Sequence, residues 1–293
     1  MIEWPKLFGT SPDADTQSAA SPSHKIAAVT TDIGGRLYRI CSDDNYLTHI
    51  DGVFEPQMVA LFDSLLAPEH TVLDIGANIG CTAILFGSRV RRVHAFEPSP
   101  STYGFLTRNV DAAGLDSVML HNVGLGRESG AFELTFAADN RSGGFVSDKA
   151  HASAGHTVEQ IRIERGDTFL HEREIDGIGL VKIDVEGFEL NVIDGLSETL
   201  ARDRPVVVLE MNHWCLNVFQ RIALPDFLDR LRAAFPFLYA IDGDEARNLH
   251  DPDDAYHVMY HHVVGGFRYP NLVGAFHPQQ LERFAGRFGV RVG

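Results

Sequence analysis

The sequence predicts an α/β domain with a mostly parallel sheet and helices on both faces. Three observations carry this reading. Short apolar runs alternate with amphipathic stretches in the βαβ manner. Those runs are continuous rather than alternating, as strands covered on both faces require. Finally, 44% of the 293 residues are hydrophobic, enough for a sizeable core.

In chain order, residues from about 9 to 25 are small, polar and proline-containing, which predicts a flexible tail over 1–25. Residues 26–70 read as an N-terminal cap, with a strand at Arg36–Ile40 and a helix from Pro56 to Leu66. The main domain is expected at 71–245. Its strands are Thr71–Ile75, Arg92–Phe96, Val118–His121, Leu180–Asp184, Pro205–Glu210 and Phe237–Ile241. Helices are expected at 79–88, at 99–113 with a stop at Gly114, at 188–201 and at 225–235. An inserted hairpin region, 127–165, breaks the alternation with strands at Ala131–Phe136 and Val158–Ile163. It should sit over the carboxyl edge of the sheet, where open α/β sheets bind ligands. Residues 246–293 read as a C-terminal extension.

The formal net charge of −15 repels phosphate backbones, so a nucleic-acid partner is not expected. The same field does not repel a cationic cofactor. No apolar run is long enough to span a bilayer, and the N-terminus lacks the blocks of a signal peptide. Cys41, Cys81 and Cys215 form no CxxC pair. A reduced, cytoplasmic protein is expected. Oligomeric state is not legible.

The first strand ends in Asp74-Ile-Gly76-Ala-Asn78-Ile-Gly80, which opens the first helix. Glycines let the backbone turn tightly and approach a ligand, and the helix start offers free N–H groups. A nicotinamide fingerprint, G-x-G-x-x-G, is not met, because Asn78 and Cys81 occupy its later glycine positions. Asp74 would repel a pyrophosphate but suits an ammonium group, such as the methionine end of S-adenosylmethionine. Glu97, 23 residues on, closes the second strand and can accept hydrogen bonds from ribose hydroxyls. Asp74, Gly76, Asn78, Gly80 and Glu97 are therefore the expected donor-binding set. Alone, Asp74 could be a loop acid and Glu97 a solvated strand-end acid.

Lys182, Asp184 and Glu186 alternate at the end of the fourth strand. Buried charges there must be paired. Lys182 could stabilise the loop through an ion pair or, with Glu186, orient a substrate. Asp184 is the first candidate to take a proton from a substrate. The fifth strand ends in Glu210-Met-Asn212-His213. His213 is the second candidate base, with Glu210 behind it, or a histidine at a helix start facing water. Asn212 could hold substrate or cap the next helix. Asp184, Glu186, Glu210 and His213 offer hard ligands for a divalent metal, foremost Asp184 and Glu210, although no spacing demands one. His257, His261 and His262 read as surface histidines.

Leu73-Asp-Ile-Gly-Ala-Asn-Ile-Gly80, Phe96-Glu-Pro-Ser-Pro100 and Lys182-Ile-Asp-Val-Glu-Gly-Phe-Glu189 together resemble the FkbM family of methyltransferases, over roughly residues 55 to 245. The resemblance implies a Rossmann-like class I methyltransferase fold, S-adenosylmethionine as donor, and a hydroxyl of a sugar or glycan as acceptor. Methylation of a polyketide-type or other small molecule, at oxygen or nitrogen, is the alternative. A nicotinamide oxidoreductase is disfavoured by the missing glycines. A binding protein that has lost its chemistry is disfavoured by the presence of Asp74, Glu97 and Asp184.

Overall fold

A computed structural model describes residues 25–292, apart from 138, 153 and 154. The expected tail, 1–25, therefore lies almost wholly outside the described residues.

The cap holds β1 (Ala27–Ile33), β2 (Arg36–Ser42), α1 (Leu47–Ile50), β3 (Gly52–Val53) and α2 (Pro56–Leu65). Its strands form a sheet of their own, in the order β2-β1-β3. The expected cap strand is β2; β1, its antiparallel partner, has a mixed pattern that does not stand out in the sequence.

The main domain then runs β4 (Thr71–Ile75), α3 (Cys81–Gly87), β5 (Arg92–Phe96), α4 (Pro100–Ala113) and β6 (Val118–His121). An excursion follows: β7 (Gly124–Gly126), β8 (Gly130–Ala137), β9 (Asn140–Val146) and β10 (His156–Arg165). The chain re-enters the main layer with α5 (Gly166–Glu172), β11 (Ile178–Ile183), α6 (Glu189–Gly195), α7 (Ser197–Asp203) and β12 (Val206–Glu210). The last part is α8 (His213–Cys215), a π-helical turn at Leu216–Gln220, α9 (Leu224–Ala234), β13 (Phe237–Asp242), β14 (Glu245–Asn248), α10 (Pro252–Val263), β15 (Asn271–Ala275) and α11 (Glu282–Phe288).

Eight strands form the central sheet in the order β14-β13-β15-β12-β11-β4-β5-β6. From β12 to β6 all neighbours are parallel. β15 is inserted antiparallel between β12 and β13. Residues 246–293, set apart as an extension in the sequence, thus supply an interior strand of the sheet. Side chains alternate between two cores. Val72, Val93 and Val208 face Phe62, Phe86 and Leu106, whereas Leu73, Val207 and Leu209 face Phe169, Phe227 and Phe235. Helices on both faces are therefore a packing requirement of the strand sequences. This is the expected Rossmann-like α/β architecture.

The helix expected over 188–201 is two helices. A Cβ at Gly195 would collide with the carbonyl of Gly126, and the chain bends at Leu196 to let β7 approach. The excursion is a separate four-stranded sheet, β7-β10-β8-β9, with β9 the strand not foreseen. Strand order reverses between β4 and β11, so the crevice at their carboxyl ends is where a ligand belongs. Among the described residues, no helix is long and apolar enough to cross a membrane.

Candidate active site

The crevice is a cavity of about 230 Å³ lined by the turn after β4, the ends of β5, β11 and β12, the excursion and the cap. Its floor follows from the turn at residues 76–80. Gly76 has φ +78° and lies so close to β11 that a Cβ would strike the carbonyl oxygen of Asp184. Gly80, at φ +100°, starts α3. Asn78, at φ +50°, points its backbone N–H at Glu97 Oε2, 3.1 Å away. Ser99 N–H binds the other oxygen at 2.9 Å. Glu97 is thus locked in orientation, and each oxygen keeps a lone pair for a further donor. Burial pushes its pKa up to about 7, against the pull of those two hydrogen bonds.

Asp74 has a different place. It is fully buried and does not line the cavity. Its Oδ2 accepts from Thr82 Oγ1 at 2.7 Å, and its Oδ1 lies 3.4 Å from Lys182 Nζ. Lys182 donates to the carbonyl of Gly76 at 2.7 Å and pairs with Asp184 at 3.4 Å. Burial opposes the charge on Lys182, but Asp184 and Asp74 outweigh it, so its pKa is raised. Asp74 and Lys182 therefore pin the turn from beneath. Of the two openings left by the sequence, Lys182 takes the ion pair.

Asp184, Glu186 and Glu210 converge in the same cavity. One carboxylate oxygen of each lies within 4.8 Å of the others. The Asp184 side chain is 46% exposed. Glu186 sits at φ +51° on a sharp bend, where Cys215 Sγ donates to it at 3.1 Å. Glu189 Oε1 accepts from the N–H of Gly187 at 3.0 Å and holds that bend. Burial, then the charge of Asp184, raises Glu186 to about 8. Glu210 is raised well above the ordinary carboxylate range by burial, then by Asp184 and Glu186. Its buried Oε2 has no hydrogen-bond partner among the described residues. A hard divalent cation, or a proton shared across the cluster, fits this donor set.

His213 and Asn212 do not line the cavity. The His213 ring packs on Phe267 and against His262, and burial lowers its pKa. Asn212 Oδ1 accepts from Cys215 N–H and caps α8. Both follow β12, but the chain turns away at Met211, which is buried in the core. Of the C-terminal histidines, His262 is fully buried rather than at the surface.

Tyr46 and Glu55 from the cap, and Arg141 from β9, line the cavity without having been singled out in the sequence. Arg141 makes two hydrogen bonds to Asp43, at 2.8 and 2.9 Å, and one to Ser101 Oγ at 2.6 Å. It clasps excursion, cap and α4 together. The one sequence signal for Glu55 is an acid directly before a helix-starting proline. Arg141 has none.

A glycine turn, a strand-end glutamate locked by backbone N–H groups, and carboxylates across a switch-point crevice define a class I methyltransferase architecture. The chain belongs to the FkbM methyltransferase family: the family's domain, described as "Methyltransferase FkbM domain", matches residues 74–235. Relatives include the hexuronic acid methyltransferase AglP of Haloferax volcanii, 34% identical over 145 residues, covering 48% of this chain and 56% of that protein. Methyltransferase 1 of Beauveria bassiana is 30% identical over 145 residues, covering 43% and 58%. The 31-O-demethyl-FK506 methyltransferase FkbM of Streptomyces tacrolimicus is 30% identical over 166 residues, covering 45% and 62%. The matches span little more than half the length of these relatives. A crystal structure of methyltransferase FkbM from Methylobacillus flagellatus aligns with 71% of this chain and 44% of that one, at 15% identity and a TM-score of 0.42.

Proposed function

We propose that this chain transfers a methyl group from S-adenosylmethionine to a hydroxyl of a sugar or glycan. The observation that carries the reading is what one cavity brings together. Its lining joins the glycine turn, Asn78 and Glu97 to the carboxylates Asp184, Glu186 and Glu210. Family membership implies the donor. The residues fit it: Glu97 has lone pairs free for a ribose diol, and Asn78 Oδ1 is a buried acceptor without a partner. The name of AglP supports a carbohydrate acceptor. The name of the Streptomyces relative supports the second reading, a hydroxyl of a polyketide-type molecule.

The donor supplies a methyl group on a sulfonium, open to in-line attack. Glu97 and the glycine turn would hold the nucleoside, and the bound donor would supply the methyl group. Asp184 takes the proton of the attacking hydroxyl as the oxygen–carbon bond forms, and the carbon–sulfur bond breaks to leave a thioether. Glu186 and Glu210 flank Asp184 in the cluster. If a divalent cation is used, these three carboxylates would hold it, and it would lower the pKa of the hydroxyl. Asp184→Asn tests the assignment: turnover falls by about 10²–10⁴ while donor affinity stays near wild type. Near-normal turnover would remove Asp184 from the chemistry. Loss of wild-type activity in chelator, restored by magnesium or manganese, identifies the metal version; indifference to chelator identifies direct base catalysis.

A further inference from the structure

The acceptor's charge can be read from the cavity wall, given the donor and acceptor proposed above. Five carboxyl groups line the cavity: Glu55, Glu97, Asp184, Glu186 and Glu210. The described lining holds two cationic side chains, and neither is available. Lys182 is shared between Asp74 and Asp184, and Arg141 is held by both oxygens of Asp43. An acidic acceptor would bring a further carboxylate into this row of carboxyl groups with no free cationic side chain to receive it. Like-charge juxtaposition in a confined site is a strong rejecting device.

Glu55 is the member of this row that the donor and the proton transfer do not use. It lies in the cap, before residue 74 where the family match begins. Its carboxylate makes no hydrogen bond or ion pair among the described residues. Its backbone, at φ 28° and ψ 72°, is in a region that L-residues avoid, immediately before Pro56. A residue before proline favours extended backbone. Strain of this kind persists where the surroundings impose it, characteristically at ligand sites. Beside it Tyr46 adds a phenol to the same wall. A carboxylate and a phenol together bind hydroxyl or ammonium hydrogens.

We infer that the acceptor is an uncharged or amino-bearing polyol, and that Glu55 excludes acidic ones. In this the chain departs from AglP, whose name specifies a hexuronic acid.

The test uses three matched rings: methyl glucoside, methyl glucosaminide and methyl glucuronide. Binding is measured by ligand-detected NMR with S-adenosylhomocysteine present, with and without chelator, and turnover is measured with S-adenosylmethionine. The expected result is that glucoside and glucosaminide bind at least about tenfold more tightly than glucuronide. Glu55→Gln narrows that gap and Glu55→Lys reverses it, with S-adenosylhomocysteine affinity serving as the control for folding. Glucuronide binding as tightly as glucoside, or a gap untouched by Glu55→Gln, overturns the inference and leaves the carbohydrate reading standing. Failure of all three rings to bind, while S-adenosylhomocysteine binds, overturns both.

Discussion

Lys182 and Asp74 face each other in register across β11 and β4, and their charges meet at 3.4 Å inside the sheet. The pair lies beneath the glycine turn, and Lys182 also holds the carbonyl of Gly76. The glycine turn and Asp184 are thus tied to one ammonium group.

Removing that ammonium leaves Asp74 buried without its counter-charge. Lys182→Met should destabilise the fold by about 3–5 kcal/mol, the usual cost of breaking a buried pair. The double variant Lys182→Met/Asp74→Asn should recover much of the loss. Chemical denaturation of the three proteins checks this; a double variant no more stable than the single one would show that the charge is not the cause.

Glu97 is positioned by the backbone of Asn78 and Ser99 rather than by packing. Glu97→Gln keeps its shape and replaces one acceptor by an amide donor. Donor affinity should fall by about 1.5–3 kcal/mol, the range for a hydrogen bond to a charged group. Calorimetry with S-adenosylmethionine reads this directly, and an unchanged affinity in a folded variant would remove Glu97 from the donor site.

Gly76 cannot carry a side chain, both because φ is +78° and because Asp184 O occupies the space. Gly76→Ala should cost more than about 1 kcal/mol and weaken the donor site as the turn shifts. A thermal melt matching wild type would show that β4 and β11 can part without penalty.

His94 Nδ1 and His121 Nε2 lie 3.0 Å apart on β5 and β6. Burial holds both imidazoles neutral, with pKa values near about 4; the neighbouring His121 adds to this for His94, and Arg173 for His121. The unfolded chain takes up these protons near pH 6.5, well before the native one does. The stability contributed by the neutral pair is therefore present above about pH 6.5 and lost as pH falls towards about 4. The gap in denaturation midpoint between wild type and His94→Asn/His121→Asn should shrink across that window. A constant gap would show that the pair protonates freely in the native state.

Much of the sheet is legible in the sequence because its strands are buried on both faces. Thr71–Ile75, Arg92–Phe96 and Val118–His121 are apolar runs bounded by turn residues, and the strands match them to the residue. β15 is not legible, because Asn271–Ala275 owes its place to partners thirty or more residues away in sequence. That the glycine turn and Glu97 share a crevice is legible for a local reason: turn, helix start and strand-end acid follow one another in the chain. The rest of the lining is half legible. Asp184, Glu186 and Glu210 sit at strand ends, and the excursion is expected over the crevice, but Tyr46 and Glu55 arrive from the cap, which no local pattern ties to it, and nothing in the sequence singles out Arg141. His213 misleads because proximity in sequence to β12 says nothing of which way the chain turns after it.

The place of β15 has a consequence for the order in which the molecule is made. β13 and β14 touch the rest of the sheet through β15 alone. While the ribosome is still adding the residues before 271, that hairpin has no seat, and β12 presents an open edge. The domain therefore finishes folding only after nearly all of it has left the exit tunnel. Until then the growing chain exposes strand edges that invite pairing with other chains. A nascent chain stalled just short of Asn271 would be the form that chaperones recognise.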